Sequence, residues 1–114
     1  MLSREKRLTK GRDFDRVYQK GKRLSSESFN LNLSANRSAV TRVGIVVGKK
    51  FSKKAVERNR AKRVFREAVK EVYTDIKPGF DMVIFVKGAY SKNLKMETAR
   101  KEIVELMKKA GVLK

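Results

Sequence analysis

Between Lys49 and Glu67 the chain carries Lys49, Lys50, Lys53, Lys54, Arg58, Arg60, Lys62, Arg63 and Arg66 against only Glu57 and Glu67. The chemistry this stretch suits is recognition of a polyanion. Guanidinium groups bind phosphate oxygens through paired, charge-assisted hydrogen bonds, and a rigid helix would present several at once. Like charges at i, i+3 and i+4 repel by roughly 0.2–0.5 kcal/mol per pair, so such a face is disfavoured unless an anion meets it. Asn59, set among the cations, offers both donor and acceptor, and suits a base edge, a 2′-hydroxyl or a neighbouring Arg. Hydrolytic chemistry by side chains is harder to find. The chain has no Cys and no His, which removes disulfides, zinc knuckles, thiol chemistry and the commonest general base. Asp13 and Asp15 lie two apart and would point to different sides of a helix, so they read as charges complementing the dipole of a first turn.

Composition narrows the partner. With Lys and Arg outnumbering Asp and Glu by 30 to 12, the formal charge is +18 on 114 residues. That is attraction to nucleic acid or to an anionic membrane. The N-terminal residues Met1 to Arg7 contain no apolar signal region, and the longest apolar run, Met82 to Val86, is far too short to span a bilayer. A cytoplasmic nucleic-acid binder with no membrane partner is the expectation. The length predicts one domain, 1–114, with residues 1–10 as a basic, extended arm.

The elements that must position the cations follow from periodicity. Phe14, Val17 and Tyr18 fall at i, i+3, i+4 and predict a short helix over Arg12–Lys20, with Gly21 as its stop. A short strand over Lys22–Ser26 and a cleanly alternating one over Phe29–Ser34 come next, the second with a polar face that includes Asn32. Ala35–Thr41 is a loop. Arg42–Gly48 reads as a central strand, apolar on both faces, and Phe80–Lys87 as another buried strand. The basic stretch forms a helix over Ala55–Tyr73, and a final amphipathic helix covers Met96–Ala110, stopped by Gly111. On the basic helix, Ala61, Val64, Phe65 and Val72 lie within about 60° of Ala68, while Asn59, Lys62, Arg63, Arg66 and Lys70 take the opposite side. The order αβββαβα predicts an α+β sandwich on a mixed sheet of four strands.

At Arg58-Asn59-Arg60-Ala61-Lys62-Arg63 followed by Arg66-Glu67, preceded by Lys49-Lys50, the chain resembles the bacterial ribonuclease P protein subunit, whose motif is RNRxKRxxRE. Every fixed position is matched. The Arg42-Val43-Gly44 opening of one strand and the Phe80-Asp81 opening of another match too, so the resemblance covers nearly the whole chain. It implies an α/β sandwich with a left-handed βαβ crossover between Arg42–Gly48 and Phe80–Lys87.

The resemblance also implies an activity: endonucleolytic removal of the 5′ leader of precursor tRNA by a ribonucleoprotein hydrolase. Its catalytic subunit is an RNA that binds the magnesium ions. The protein is then accessory, without catalytic residues or metal ligands of its own, and needs no obligate protein partner. Binding of the catalytic RNA is carried to Arg58, Asn59, Arg60, Lys62, Arg63 and Arg66. Binding of the leader in a cleft beside the first helix is carried to Phe14, Tyr18, Asn32, Lys49 and Lys50. Phe14 is equally consistent with core packing, and the position of Asn32 is often aromatic in the family, so this chain has an amide where others stack. A structural RNA-binding protein, such as a small ribosomal protein, is the alternative.

Overall fold

The computed structural model describes residues 2–87 and 95–114. Helix α1 (Gly11–Lys20) is followed by strands β1 (Lys22–Ser25), β2 (Phe29–Ala35) and β3 (Arg42–Val47). Helix α2 (Ala55–Val72), strand β4 (Phe80–Val86) and helix α3 (Met96–Ala110) complete the predicted order. The sheet runs β1-β2-β4-β3, with β1–β2 and β2–β4 antiparallel and β3–β4 parallel, joined through α2.

One face of the sheet is sealed. Phe29, Leu31 and Leu33 of β2, Val43 and Val47 of β3, and Met82, Ile84 and Val86 of β4 meet the apolar stripes of α2 and α3 in one continuous core. The helical period selected these residues: α2 buries Ala61, Phe65, Ala68, Val69 and Val72, and α3 buries Ala99, Ile103, Leu106 and Met107. Phe65 meets Phe29 edge to face with ring centroids 5.5 Å apart, the geometry aromatic quadrupoles favour. Helix α3 ends in a left-handed residue at Gly111 (φ 75°), as its sequence predicts, with the Val112 amide bonding back to Met107 O.

One expectation about the strands needs correction. β3 is an edge strand, not a central one. Its apolar composition is met instead by helices on both faces and by the N-terminal segment on its open side. There Arg7 bridges Val43, the Leu8 amide donates to Val43 O, and Leu8 itself is buried. The segment at Arg7 and Leu8 is thus docked on the fold, after a single helical turn at Arg4–Lys6, and it shields part of an otherwise exposed edge. The polar face of β2 is buried as well: Asn30 and Asn32 are both buried, and α1 lies against part of that face.

Gly21 ends α1 for a different reason from Gly111. Its φ of −81° is open to any residue, but a Cβ there would stand 2.2 Å from Val17 O and 2.7 Å from Leu33 O. The glycine lets the end of α1 press onto the backbone of β2. Gly21→Ala should therefore destabilise the protein by about 1–3 kcal/mol in urea unfolding, whereas Gly48→Ala, with nothing within 4 Å of the new methyl, should stay within about 0.5 kcal/mol of wild type. Equal losses would show that close approach at Gly21 is not the constraint.

Candidate nucleic-acid interface

The register of the four strands sorts the second face of the sheet into rows running across it. Arg42, Asp81 and Ser34 form the first; Gly44, Val83, Asn32 and Arg23 the second; Val46, Phe85, Asn30 and Ser25 the third. Helix α1 crosses the strands over the first two rows. Asp13 meets Arg42, the Phe14 ring occupies the space above Gly44, and Val17 packs with Val83. A Cβ on Gly44 would come within 2.6 Å of that ring, so the glycine is the seat of Phe14.

The third row continues this face of the sheet past the residues that α1 contacts. Phe85 of that row is 37% exposed and Tyr18 of α1 is 44% exposed. Asn30 and Asn32 of the same face are buried, Asn32 7% exposed and its side chain without a hydrogen-bond partner among the described residues. Ser25 Oγ donates to Asn30 Oδ1 at 2.7 Å. Burial raises the Tyr18 phenol above its ordinary pKa, with the positive charge of Arg23 acting the other way. Tyr18 is therefore a neutral hydrogen-bond donor at physiological pH.

The chain leaves β3 at the third-row end and enters α2 through the loop 48–54, which carries Lys49 and Lys50, both exposed. Ser52 fixes this loop to the helix. Its hydroxyl donates to Glu57 Oε2 (3.0 Å) and accepts from the Lys54 amide, while its carbonyl accepts from Arg58 Nη1 (2.8 Å). Arg58 is thus half-buried and partly committed to holding the loop. Asn59, Arg60 and Arg63 are exposed, and Lys62 and Arg66 half-exposed, along the face of α2 away from its buried stripe. Cations crowd a helix N-terminus that already carries partial positive charge, with Glu57 the acidic residue of its first turn. The arrangement is a cationic helix surface joined in sequence, through the lysine loop, to the end of β3 that carries the third row.

Sequence reasoning assigned Phe14, Tyr18 and Asn32 to one cleft and the motif residues to one helix; the structure places Phe14 and Tyr18 on α1, over the sheet face that carries Asn32, and the motif residues on α2, which packs against the opposite face. It missed Phe85, Asn30 and Ser25. The apolar run of β4 marked that strand as buried on both faces, and the strand pairing, which no local pattern reveals, puts Phe85 at the uncovered row. It also missed the role of Asp13. This carboxylate is 4% exposed and pairs with Arg16 and with Arg42 Nη1 (3.4 Å), while Arg42 Nε and Nη2 hold both oxygens of Asp81 (2.9 and 2.7 Å). Burial pushes the Asp81 carboxyl up, but hydrogen bonds from Arg42 and Asn36 and the guanidinium charge outweigh it, so its pKa lies below the ordinary aspartate value. No three His, Cys, Asp or Glu residues cluster to hold a metal among the described residues, and the buried carboxylates are already engaged by arginine. The described residues do not fit a magnesium site.

Fold and surface together define an α+β sandwich that sets a cationic helix beside an aromatic, half-covered sheet. Comparison with known proteins is specific. The profile of the family Ribonuclease P matches residues 2–111. The ribonuclease P protein component of Synechocystis sp. is 37% identical over 113 residues, covering 98% of this chain and 90% of that protein. That of Clostridioides difficile is 35% identical over 112 residues, covering 97% and 96%. The solved ribonuclease P protein of Staphylococcus aureus superposes with a TM-score of 0.83 at 28% identity, over 96% of this chain and 98% of that one. That of Thermotoga maritima gives 0.81 at 33% identity, over 90% and 96%. The chain belongs to the ribonuclease P protein family: it is a protein component of an endoribonuclease ribonucleoprotein that processes tRNA.

Arg60 and Arg63 are exposed and make no intramolecular ion pair among the described residues. Substituting either by Ala should weaken binding to ribonuclease P RNA and reduce the slope of log affinity against log salt by about one for each phosphate no longer neutralised. A salt titration with an unchanged slope would remove phosphate binding from that residue.

Proposed function

We propose that the face of α2 carrying Asn59, Arg60, Lys62, Arg63 and Arg66, with Arg58 bracing the adjoining loop, binds the catalytic RNA of ribonuclease P. On the same reading the open row of the sheet binds the single-stranded 5′ leader of precursor tRNA. Lys49 and Lys50 track the leader backbone where it leaves the cleft. The observation that carries the leader assignment is the pair of exposed rings, Tyr18 and Phe85, beside buried amides and next to a lysine loop. Single-stranded nucleic acid is held by this combination: rings stack on bases at about 1–3 kcal/mol each, and cations follow the phosphates. Phe14, seated on Gly44, supports the wall and presents its free edge to the cleft. Where an aromatic residue on β2 would stack, Asn32 hydrogen-bonds.

The protein's contribution is differential affinity. Contacts made to the leader exist in precursor and are gone in mature tRNA, so substrate is held and product leaves. The hydrolysis itself belongs to the RNA subunit. The chain offers no His or Cys, and its buried carboxylates are locked to arginine, so its side chains contribute binding and orientation.

Tyr18→Ala and Phe85→Ala test the leader assignment, since both rings lie on an open surface and their removal leaves no core cavity. Each should weaken holoenzyme binding of leader-bearing precursor roughly 5- to 150-fold, the equivalent of one stacked base, with mature tRNA affinity unchanged. Equal losses for precursor and mature tRNA would contradict it.

A further inference from the structure

Helix α1 is held on the sheet by little apolar surface. The cluster beneath it has three buried members, Leu8, Val17 and Val83, with Phe14 and Val46 packed against them, whereas α2 and α3 share a core spanning all four strands' inner face. Its C-terminal end is fixed by the close approach of Gly21 to the backbone of β2. Its N-terminal end is fixed by charge. Arg42 spans the gap, with Nε and Nη2 on Asp81 of β4 and Nη1 on Asp13 of α1. Asp81 is 1% exposed and further anchored by Asn36 Nδ2 at 2.8 Å, so the sheet end of this bridge is rigid. The planar fork of a guanidinium grips one carboxylate with two N–H groups while a third donor faces another in a fixed geometry, which the compact point charge of an ammonium does not reproduce. Arg16, also paired with Asp13, is 45% exposed; its charge also acts on Asp81, but among the described residues its hydrogen bond goes to Asp13 of its own helix, so the hydrogen-bonded tie between α1 and the sheet runs through Arg42.

We infer that Arg42 and Asp13 are positioning residues for substrate binding: their bridge latches the N-terminal end of α1 and so sets the height of the Phe14 and Tyr18 wall above the third row. The inference rests on the leader reading given above. Asp13 is one residue from Phe14, and Arg42 is two from Gly44 on the same face of β3, so the latch and the seat of the ring are adjacent. Released at that end, α1 pivots about Gly21, Phe14 lifts from Gly44, and the cleft loses its spacing while the α2 surface and the main core stay in place.

Asp13→Ala removes the latch and keeps a residue of high helix propensity. Arg42→Lys keeps a cation for Asp81 but gives up the second arm. In reconstituted holoenzyme, both variants should lower the ratio of precursor to mature tRNA affinity about tenfold, leaving affinity for the RNA subunit and kcat at saturating precursor unchanged. Amide exchange in α1 should accelerate while exchange in β4 does not, and Asp13→Glu should recover most of the ratio. Tyr18→Ala serves as the reference for the cleft. If Tyr18→Ala lowers the ratio and Asp13→Ala does not, the latch is overturned and the leader reading stands. If neither lowers it, the leader reading fails and the latch falls with it. Equal weakening of precursor, mature tRNA and RNA-subunit binding in Asp13→Ala would make the bridge a fold contact only, which also overturns the inference.

Discussion

A ten-residue helix cannot cover a four-stranded sheet. Helix α1 has 10 residues and is therefore about 15 Å long and about 10 Å wide, whereas β4 alone has 7 residues and runs roughly 23 Å. Laid across the strands, the helix shelters about half of their length. The first two rows take the ion bridge, the ring of Phe14 and the contact of Val17; the third is left with Phe85 at the surface. Everything that distinguishes the two faces of the molecule follows from this shortfall. The face under α2 and α3 is a closed core, and the face under α1 is a core at one end and a cleft at the other.

The charge is arranged around that cleft. A formal +18 would be uniformly repulsive if spread evenly, but α2 concentrates part of it on one side because its opposite side is committed to apolar contact. Ala61, Phe65, Ala68, Val69 and Val72 bind the helix into the core, so the arginines project from a fixed backbone and lose little entropy on meeting phosphates. Ser52 extends that rigidity into the loop, using its hydroxyl and carbonyl to tie Glu57, Lys54 and Arg58 together. The loop between β3 and α2 thus carries its lysines on a backbone fixed to the helix.

Much of this was legible in the sequence. The α2 and α3 stripes, the strand positions and the helix stops came from periodicity and glycines, and the parallel pairing of β3 with β4 agreed with the resemblance. What escaped has a common cause. Alternation in Phe29–Ser34 says which residues share a face, not what covers it, so the burial of Asn30 and Asn32 could not be read from it. The apolar run of β3 says that the strand is sheltered, not that a helix seat and an N-terminal segment do the sheltering at an edge. The bridge through Arg42 joins residues 29 and 39 positions away, and Phe85 becomes a surface ring only through pairing with β2 and β3. Long-range register is the information that local pattern lacks.

The central claim is that this chain supplies binding and position while its RNA partner supplies the chemistry. The most direct measurement is cleavage of a precursor tRNA with a short 5′ leader at limiting magnesium, with the protein alone, a bacterial ribonuclease P RNA alone, and both together. Correct 5′ cleavage with the two combined, and none with the protein alone, is the predicted result. Cleavage by the protein alone, or no stimulation of the RNA despite tight binding to it, would contradict the account.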